Sequence, residues 1–164
     1  MAHRYLIALG SNQRHARFGS PEKVLAAALG ELDCKQIRLV ANARTIRSAP
    51  LGPSRRRYAN GAAIVKSKLD PPELLARLKH IEAKFGRRRG GQRWAARVLD
   101  LDVVLWSGGV WSSPALTVPH PLFRERDFVL RPASAIAGNW RDPISGLSLR
   151  QLHARLTRPR PAPR

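Results

Sequence analysis

The stretch RWAARVLDLDVVLW, from Arg93 to Trp106, constrains the fold more than any other in the chain. Val98, Leu99, Leu101, Val103, Val104 and Leu105 mark a strand meant for a core, yet Asp100 and Asp102 interrupt it. In a strand, residues two apart point to one face, with Cα atoms roughly 6.5–7 Å apart. The two carboxylates therefore project together, while Leu99, Leu101 and Val103 fill the opposite face. Carboxylates held so close repel, and one takes up a proton unless cations compensate. Two arrangements supply the cations. Arginines can pair with both on a solvated sheet face, or hard divalent ions, two of them about 3.5–4 Å apart, can share the oxygens.

The neighbouring residues favour the ions. Arg87, Arg88, Arg89, Arg93 and Arg97 lie just upstream, on a loop whose Gly86, Gly90 and Gly91 let it move. Carboxylates that hold Mg²⁺, beside arginines that meet charge on transferring oxygens, are what phosphoryl transfer needs. No G-x-x-x-x-G-K-[ST] stretch occurs, which argues against a P-loop enzyme. The Gly10-Ser11-Asn12 turn is not a dinucleotide fingerprint either.

The 164 residues are about one domain's worth, and 43% hydrophobic content argues against a wholly disordered chain. A formal charge of +19 calls for an anionic partner or predicts non-specific adhesion to polyanions. Cys34 is the only cysteine, so no internal disulfide and no oxidising compartment are required. The start, MAHRYLIALGSN, is too short in its apolar run for a signal peptide, and no stretch approaches the roughly 20 apolar residues of a spanning helix. A soluble cytoplasmic protein is expected.

YLIALG reads as an edge-to-core strand. Ser20, Pro21 and Glu22 are good chemistry for a helix start, with the helix running to about Leu29 and ending at Gly30. IRLVANARTI and YANGAAIVKSKL read as further strands, separated by RSAPLGPSRRR as a mobile loop. Asp70, Pro71 and Pro72 open a helix whose Leu74, Leu78, Ile81 and Phe85 share one face, and Gly86 stops it. After the aspartate strand come SGG as a turn and VWSSPALTVPHP as extended chain. SLRQLHARL is a final helix with a Ser148–Gln151 capping box. The pattern predicts one α+β domain over residues 1–157 with a mixed or antiparallel sheet, and a disordered basic tail over 158–164.

Taken in order, ALGSN, APLGPSRRRYANGAAIV, LKHIEAKFGRRRGGQRW, RVLDLDVVLW, LTVPHPLFRERDFVLRP and RDPISGLSL resemble the 6-hydroxymethyl-7,8-dihydropterin pyrophosphokinases of folate biosynthesis. The resemblance covers about residues 5 to 152, and its core, R-W-x-x-R-x-L-D-L-D followed by V-P-H-P and R-x-F-V-L, is specific as a set. It implies transfer of pyrophosphate from ATP to the hydroxymethyl group of a reduced pterin, giving AMP and the pterin diphosphate. The implied fold is a ferredoxin-like three-layer α/β/α sandwich around a largely antiparallel sheet.

Carried over by position, Asp100 and Asp102 resemble the ligands of two Mg²⁺ ions, and Arg87 and Arg97 resemble arginines that engage the phosphates and help catalysis. Glu82, Arg89, Trp94, Thr117, His120 and Arg126 match positions that line the nucleotide. Tyr58 and Phe128 match the aromatic pair that clasps the pterin, and Asn60 offers a donor and an acceptor to its edge. Ser48, Ala49 and Leu51 align with a loop whose backbone meets the pterin. The loop from Gly86 to Arg93 is expected to be mobile and to close over ATP. The chain departs from the family at Ser48-Ala49, at Ala95-Ala96 and at Val98, without loss of a charged group. The surplus in Arg55, Arg56, Arg57 and the tail is not explained by the resemblance. A monomer acting on ATP and the pterin is expected, with no membrane association and at most non-specific contact with nucleic acid. The competing readings are a basic nucleic-acid-binding module and a metal-dependent nuclease. Two aspartates on a basic face would repel nucleic-acid phosphates, and a nuclease leaves Tyr58, Asn60 and Phe128 without a shared purpose.

Overall fold

A β-α-β-β-α-β path carries the chain from its N-terminus to the aspartate strand. The structure, a computed structural model, describes residues 1–49, 57–86 and 98–163. In chain order the path is β1 (His3–Ser11), α1 (Pro21–Glu31), β2 (Ile37–Asn42), β3 (Ile46–Ser48), β4 (Tyr58–Ser67), α2 (Pro71–Lys84) and β5 (Asp100–Trp106). The sheet runs β2-β4-β1-β5 with every pairing antiparallel, and β3 adds to β4 beyond the end of β2. This is the ferredoxin-like order. A hairpin of β6 (Trp111–Ser113) and β7 (Leu116–Val118) follows, then α3 (Asp127–Ala137) and α4 (Leu149–Thr157).

Helices cover both faces. Tyr5, Ile7 and Leu9 of β1 pack with Val24, Leu25, Leu74, Leu78 and Ile81 in a core shared with α1 and α2. Leu6 and Ile64 face the other way, into a core with Val104, Phe123, Leu130 and Leu149. The expected three-layer α+β sandwich is what forms. Each fully buried Leu or Ile contributes about 1.5–3 kcal/mol relative to exposure.

Local chemistry sets most element ends. Ser20 caps α1, its hydroxyl accepting from the Lys23 N–H at 3.4 Å. Asp70 and Glu73 exchange hydrogen bonds at the start of α2 (3.0 and 2.8 Å), and Ser148 and Gln151 do so at α4 (3.2 and 2.9 Å). Gly86 ends α2 at φ +89°, a backbone conformation that favours glycine.

Four expectations need correction. YLIALG lies inside the sheet, between β4 and β5, not at an edge. Gly30 stays within α1, because the fully buried Leu32 just beyond it anchors the last turn. IRLVANARTI divides into β2 and β3, with a bulge between Leu39 and Ala41. VWSSPALTVPHP folds back as the β6–β7 hairpin instead of running extended. A helix that sequence reading does not assign, α3, forms around Pro132 because Val129, Leu130, Pro132 and Ala133 bury one side of it. Residues 158–163 are exposed and without regular structure.

Candidate active site

Strand register assembles the site. Asp100 stands opposite Gly10, and Gly10 opposite Asn60; one row along, Asp102 stands opposite Ala8, and Ala8 opposite Ala62. Cross-strand partners share a face, so Asp100, Asp102 and Asn60 all project toward the side that carries α3. Ala8 and Gly10 are only half-buried although β1 is an inner strand. Small residues thus form the floor of a recess between the aspartates and Asn60. A Cβ on Gly10 would come 3.6 Å from Asn60 Oδ1 and 4.0 Å from Tyr58 Cδ1.

Of the residues expected at the pterin, Ser48, Tyr58 and Asn60 meet at one end of this recess. Asn60 is buried, and its Nδ2 donates to Ser48 Oγ at 2.6 Å. That bond ties β4 to β3 and leaves Oδ1 beside Gly10. Tyr58, half-buried, opens β4, and Ala49 is exposed just after β3. Phe128 lies in the first turn of α3, packed against the second core, with the Arg126 guanidinium 5.6 Å from its ring centre. The α3 start is pinned from two sides. Asp127 pairs with Arg131 and, at 2.9 Å, with His153. Just before it, Arg124 grips the buried Asp142 through two bonds of 2.6 and 2.8 Å.

The aspartates sit in a strongly acidic spot. Burial, then Asp100, then Glu82 push the Asp102 carboxyl up to about 6, while Lys79 and Arg126 pull it back. Glu82 is fully buried; its Oε1 accepts from the Leu101 backbone N–H at 2.8 Å, and Lys79 Nζ lies 3.6 Å from its Oε2. His120 follows the cis Val118–Pro119 bond. Its backbone N–H donates to Val104 O at 3.0 Å, which fixes it beside β5. Its Nδ1 accepts from the Leu122 N–H at 3.1 Å, so the neutral ring carries its proton on Nε2. Burial and then Arg126 hold the His120 pKa below the usual range, and Asp100 works against them. Neutral His120 is therefore the form at neutral pH, with one N–H to donate.

Asp100, Asp102, Glu82, His120 and Arg126 are thus linked by charge at one end of the recess, and Ser48, Tyr58 and Asn60 by contact at the other. Thr117 is exposed in the hairpin, opposite Ser112. Leu51, Arg87, Arg89, Trp94 and Arg97, and with them the expected lid, lie outside the described residues. Among the described residues no three His, Cys, Asp or Glu side chains form a metal cage. The floor residues Gly10 and Ala8 escape a reading of motifs, because their role comes from cross-strand register. Lys79 gives only the signal of standing one helical turn before Glu82.

The fold matches solved structures of Plasmodium falciparum HPPK-DHPS, one with a TM-score of 0.75 at 12% identity, covering 94% of this chain and 45% of that one. Sequence relatives are nearer. A Synechocystis 2-amino-4-hydroxy-6-hydroxymethyldihydropteridine pyrophosphokinase is 43% identical over 65% of this chain, which spans 54% of that protein. The Pseudomonas aeruginosa protein of that name is 38% identical over 87% of this chain and 86% of its own length. That of Methylorubrum extorquens is 36% identical over 93% of both. Residues 6–138, most of the chain and all of the sheet but its first three residues, match the model of one family, and on that match the chain belongs to the 7,8-dihydro-6-hydroxymethylpterin-pyrophosphokinases.

Proposed function

We propose that the protein transfers the pyrophosphoryl group of ATP to the hydroxymethyl group of 6-hydroxymethyl-7,8-dihydropterin, releasing AMP and the pterin diphosphate. The observation that carries this reading is the pairing, across a floor of small residues, of two neighbouring carboxylates with an amide and an aromatic ring. Asn60 offers a donor and an acceptor to the edge of a flat heterocycle, and Tyr58 and Phe128 offer ring faces. The pterin hydroxyl would then point along the floor to the aspartates.

Asp100 and Asp102 suit Mg²⁺, which binds through one or two carboxylates and takes its remaining ligands from water and phosphate. The raised Asp102 carboxyl marks surplus negative charge that a divalent ion would relieve. Asp100 and Asp102 would hold two such ions, which would supply positive charge to the phosphates and favour ionisation of the pterin hydroxyl. The protein's own residues do the remaining work. His120 donates through Nε2–H to a phosphate oxygen, and Arg126 adds positive charge beside it. Glu82 holds the strand between the aspartates in register. Arg87 and Arg97 neutralise charge on the transferring group, Arg89, Trp94 and Thr117 line the nucleotide, and Leu51 joins Ser48 and Ala49 at the pterin; these roles follow from family resemblance. In this reading the protein is a cytoplasmic monomer. No described helix is long and apolar enough to cross a membrane. The nucleic-acid-binding reading has no support among the relatives.

Protein mixed with ATP, Mg²⁺ and the reduced pterin should form AMP, and omission of either the pterin or Mg²⁺ should stop it. AMP release that is indifferent to the pterin would overturn the assignment.

A further inference from the structure

The sheet has a second concavity at its other end. A cavity of about 830 Å³ opens where the last residues of β4 meet the first of β2 and the middle of α2. Seven residue steps along β4 separate Asn60 from Ser67, so this cavity lies roughly 23 Å from the recess beside the aspartates. It is within the size range of small-molecule sites.

Five cations line it: Lys35, Arg38, Lys66, Lys68 and Arg77; among the described residues no acidic side chain does. Arg38 and Lys66 are direct cross-strand partners, and Lys66 also stands opposite Arg4 on its other side. Arg4 is held 5.6 Å from the Trp140 ring centre, while Arg38 and Lys66 come from the face of Ile64 and Arg77 from the face of α2, so the cavity at the sheet end draws like charges from both sides. Arg77 supplies an independent sign. Its Nε is buried and has no hydrogen-bond partner among the described residues. With Nε shielded, the terminal guanidinium nitrogens are the donors that Arg77 can offer to phosphate oxygens. The flanking carboxylates are engaged elsewhere, Asp33 accepting from the Leu39 N–H and Asp70 capping α2. The wall is fixed by Ser67, whose hydroxyl donates to Gln36 O at 2.7 Å and accepts from the Leu69 N–H at 3.1 Å.

We infer that this cavity is a second, non-catalytic anion site for a polyphosphate chain, whether free or carried by a nucleotide. The chain's charges meet Arg77 and the lysines, and the apolar lining from Ile37 and Leu69 accommodates a heterocycle where one is attached. The site is independent of turnover at the aspartates and stands or falls without it. A nucleic-acid strand is the less suitable occupant, since the cations surround a pocket instead of running along a groove.

The chain's one cysteine is a local reporter, because Cys34 also lines the cavity and is half-exposed. The rate of Cys34 alkylation by N-ethylmaleimide is to be followed by mass spectrometry with the intact protein at low salt. Inorganic triphosphate should slow it several-fold, and Lys68→Glu and Arg77→Gln should each abolish the protection while AMP formation stays near wild type. A parallel arm with ATP separates the two sources. Greater protection by ATP assigns the site to a nucleotide, and equal protection assigns it to the bare polyphosphate chain. An alkylation rate indifferent to millimolar triphosphate would overturn the site. So would protection that persists in both variants, or an oligonucleotide that protects at a lower phosphate concentration than triphosphate does.

Discussion

The backbone N–H of Leu101 donates to Oε1 of Glu82 at 2.8 Å. Leu101 is the residue between the two aspartates, and β5 is an edge strand whose outward N–H has no further strand to meet. A buried carboxylate from α2 takes the place of that strand. The spacing of the aspartates is therefore held by a helix, through one hydrogen bond.

Removing that acceptor should loosen the strand. Glu82→Ala strands a buried N–H and should cost about 1–3 kcal/mol of stability. Glu82→Gln keeps an acceptor oxygen and should lose less. Urea denaturation of both variants checks the order; equal losses would mean that the acceptor is not what matters.

The aspartates themselves should matter for turnover and not for folding. Asp100→Asn and Asp102→Asn should each lower AMP formation by orders of magnitude in saturating Mg²⁺. Each removes charge from a repelling pair, so neither should lower the thermal midpoint in EDTA at neutral pH. A folded variant with near-normal turnover would dismiss the metal-ligand role.

Tyr58 and Phe128 should act on one substrate only. Stacking of a base on an aromatic side chain is worth about 1–3 kcal/mol, so Tyr58→Ala should weaken pterin binding on the order of 5- to 150-fold. ATP binding should hardly change. Phe128→Ala should follow the same pattern, with an added loss of stability because the ring also packs on the core. Calorimetric titration of each ligand separates the effects, and equal losses for both ligands in a folded variant would count against the clasp.

The Arg124–Asp142 pair predicts a pH dependence. Burial raises the Asp142 carboxyl, but the hydrogen bonds from Arg124, Ser145 and the Ile144 N–H more than offset it and hold the group well below its usual range. A carboxylate whose folded pKa is depressed stabilises the protein above its unfolded pKa, about 3.9, and loses that contribution as the pH falls through the folded value. Asp142→Asn should therefore cost about 1.5–3 kcal/mol at neutral pH, and the gap from wild type should close progressively below about pH 4. Urea midpoints at three pH values test this; a gap independent of pH would show that charge is not the source.

Much of the site could be read from local pattern. The shared face of Asp100 and Asp102 follows from a period of two, and α2 announces itself by Asp70, its prolines and a four-residue apolar rhythm. Family resemblance supplied Asn60, Tyr58 and Phe128, which no local pattern distinguishes from core residues. What stayed hidden depends on distance in sequence. Asp142 meets Arg124 across 18 residues, and Glu82 meets Leu101 across 19. Helix α3 was hidden for another reason. Phe128 and Val129 favour strands and Pro132 disfavours a helix interior, so only burial against the sheet decides it.

The recess beside the aspartates exists because side chains are missing from its floor. Gly10 has nothing left to lose, and Ala8 has one carbon. Almost every single substitution along those rows fills the space, and hardly any enlarges it. Inheritance can therefore make this site shallower but scarcely deeper. A small molecule that rests on the floor would press against backbone that mutation cannot pull away. Escape from such a compound would have to arise at the rim, where Tyr58, Asn60 and Phe128 also have to hold the substrate.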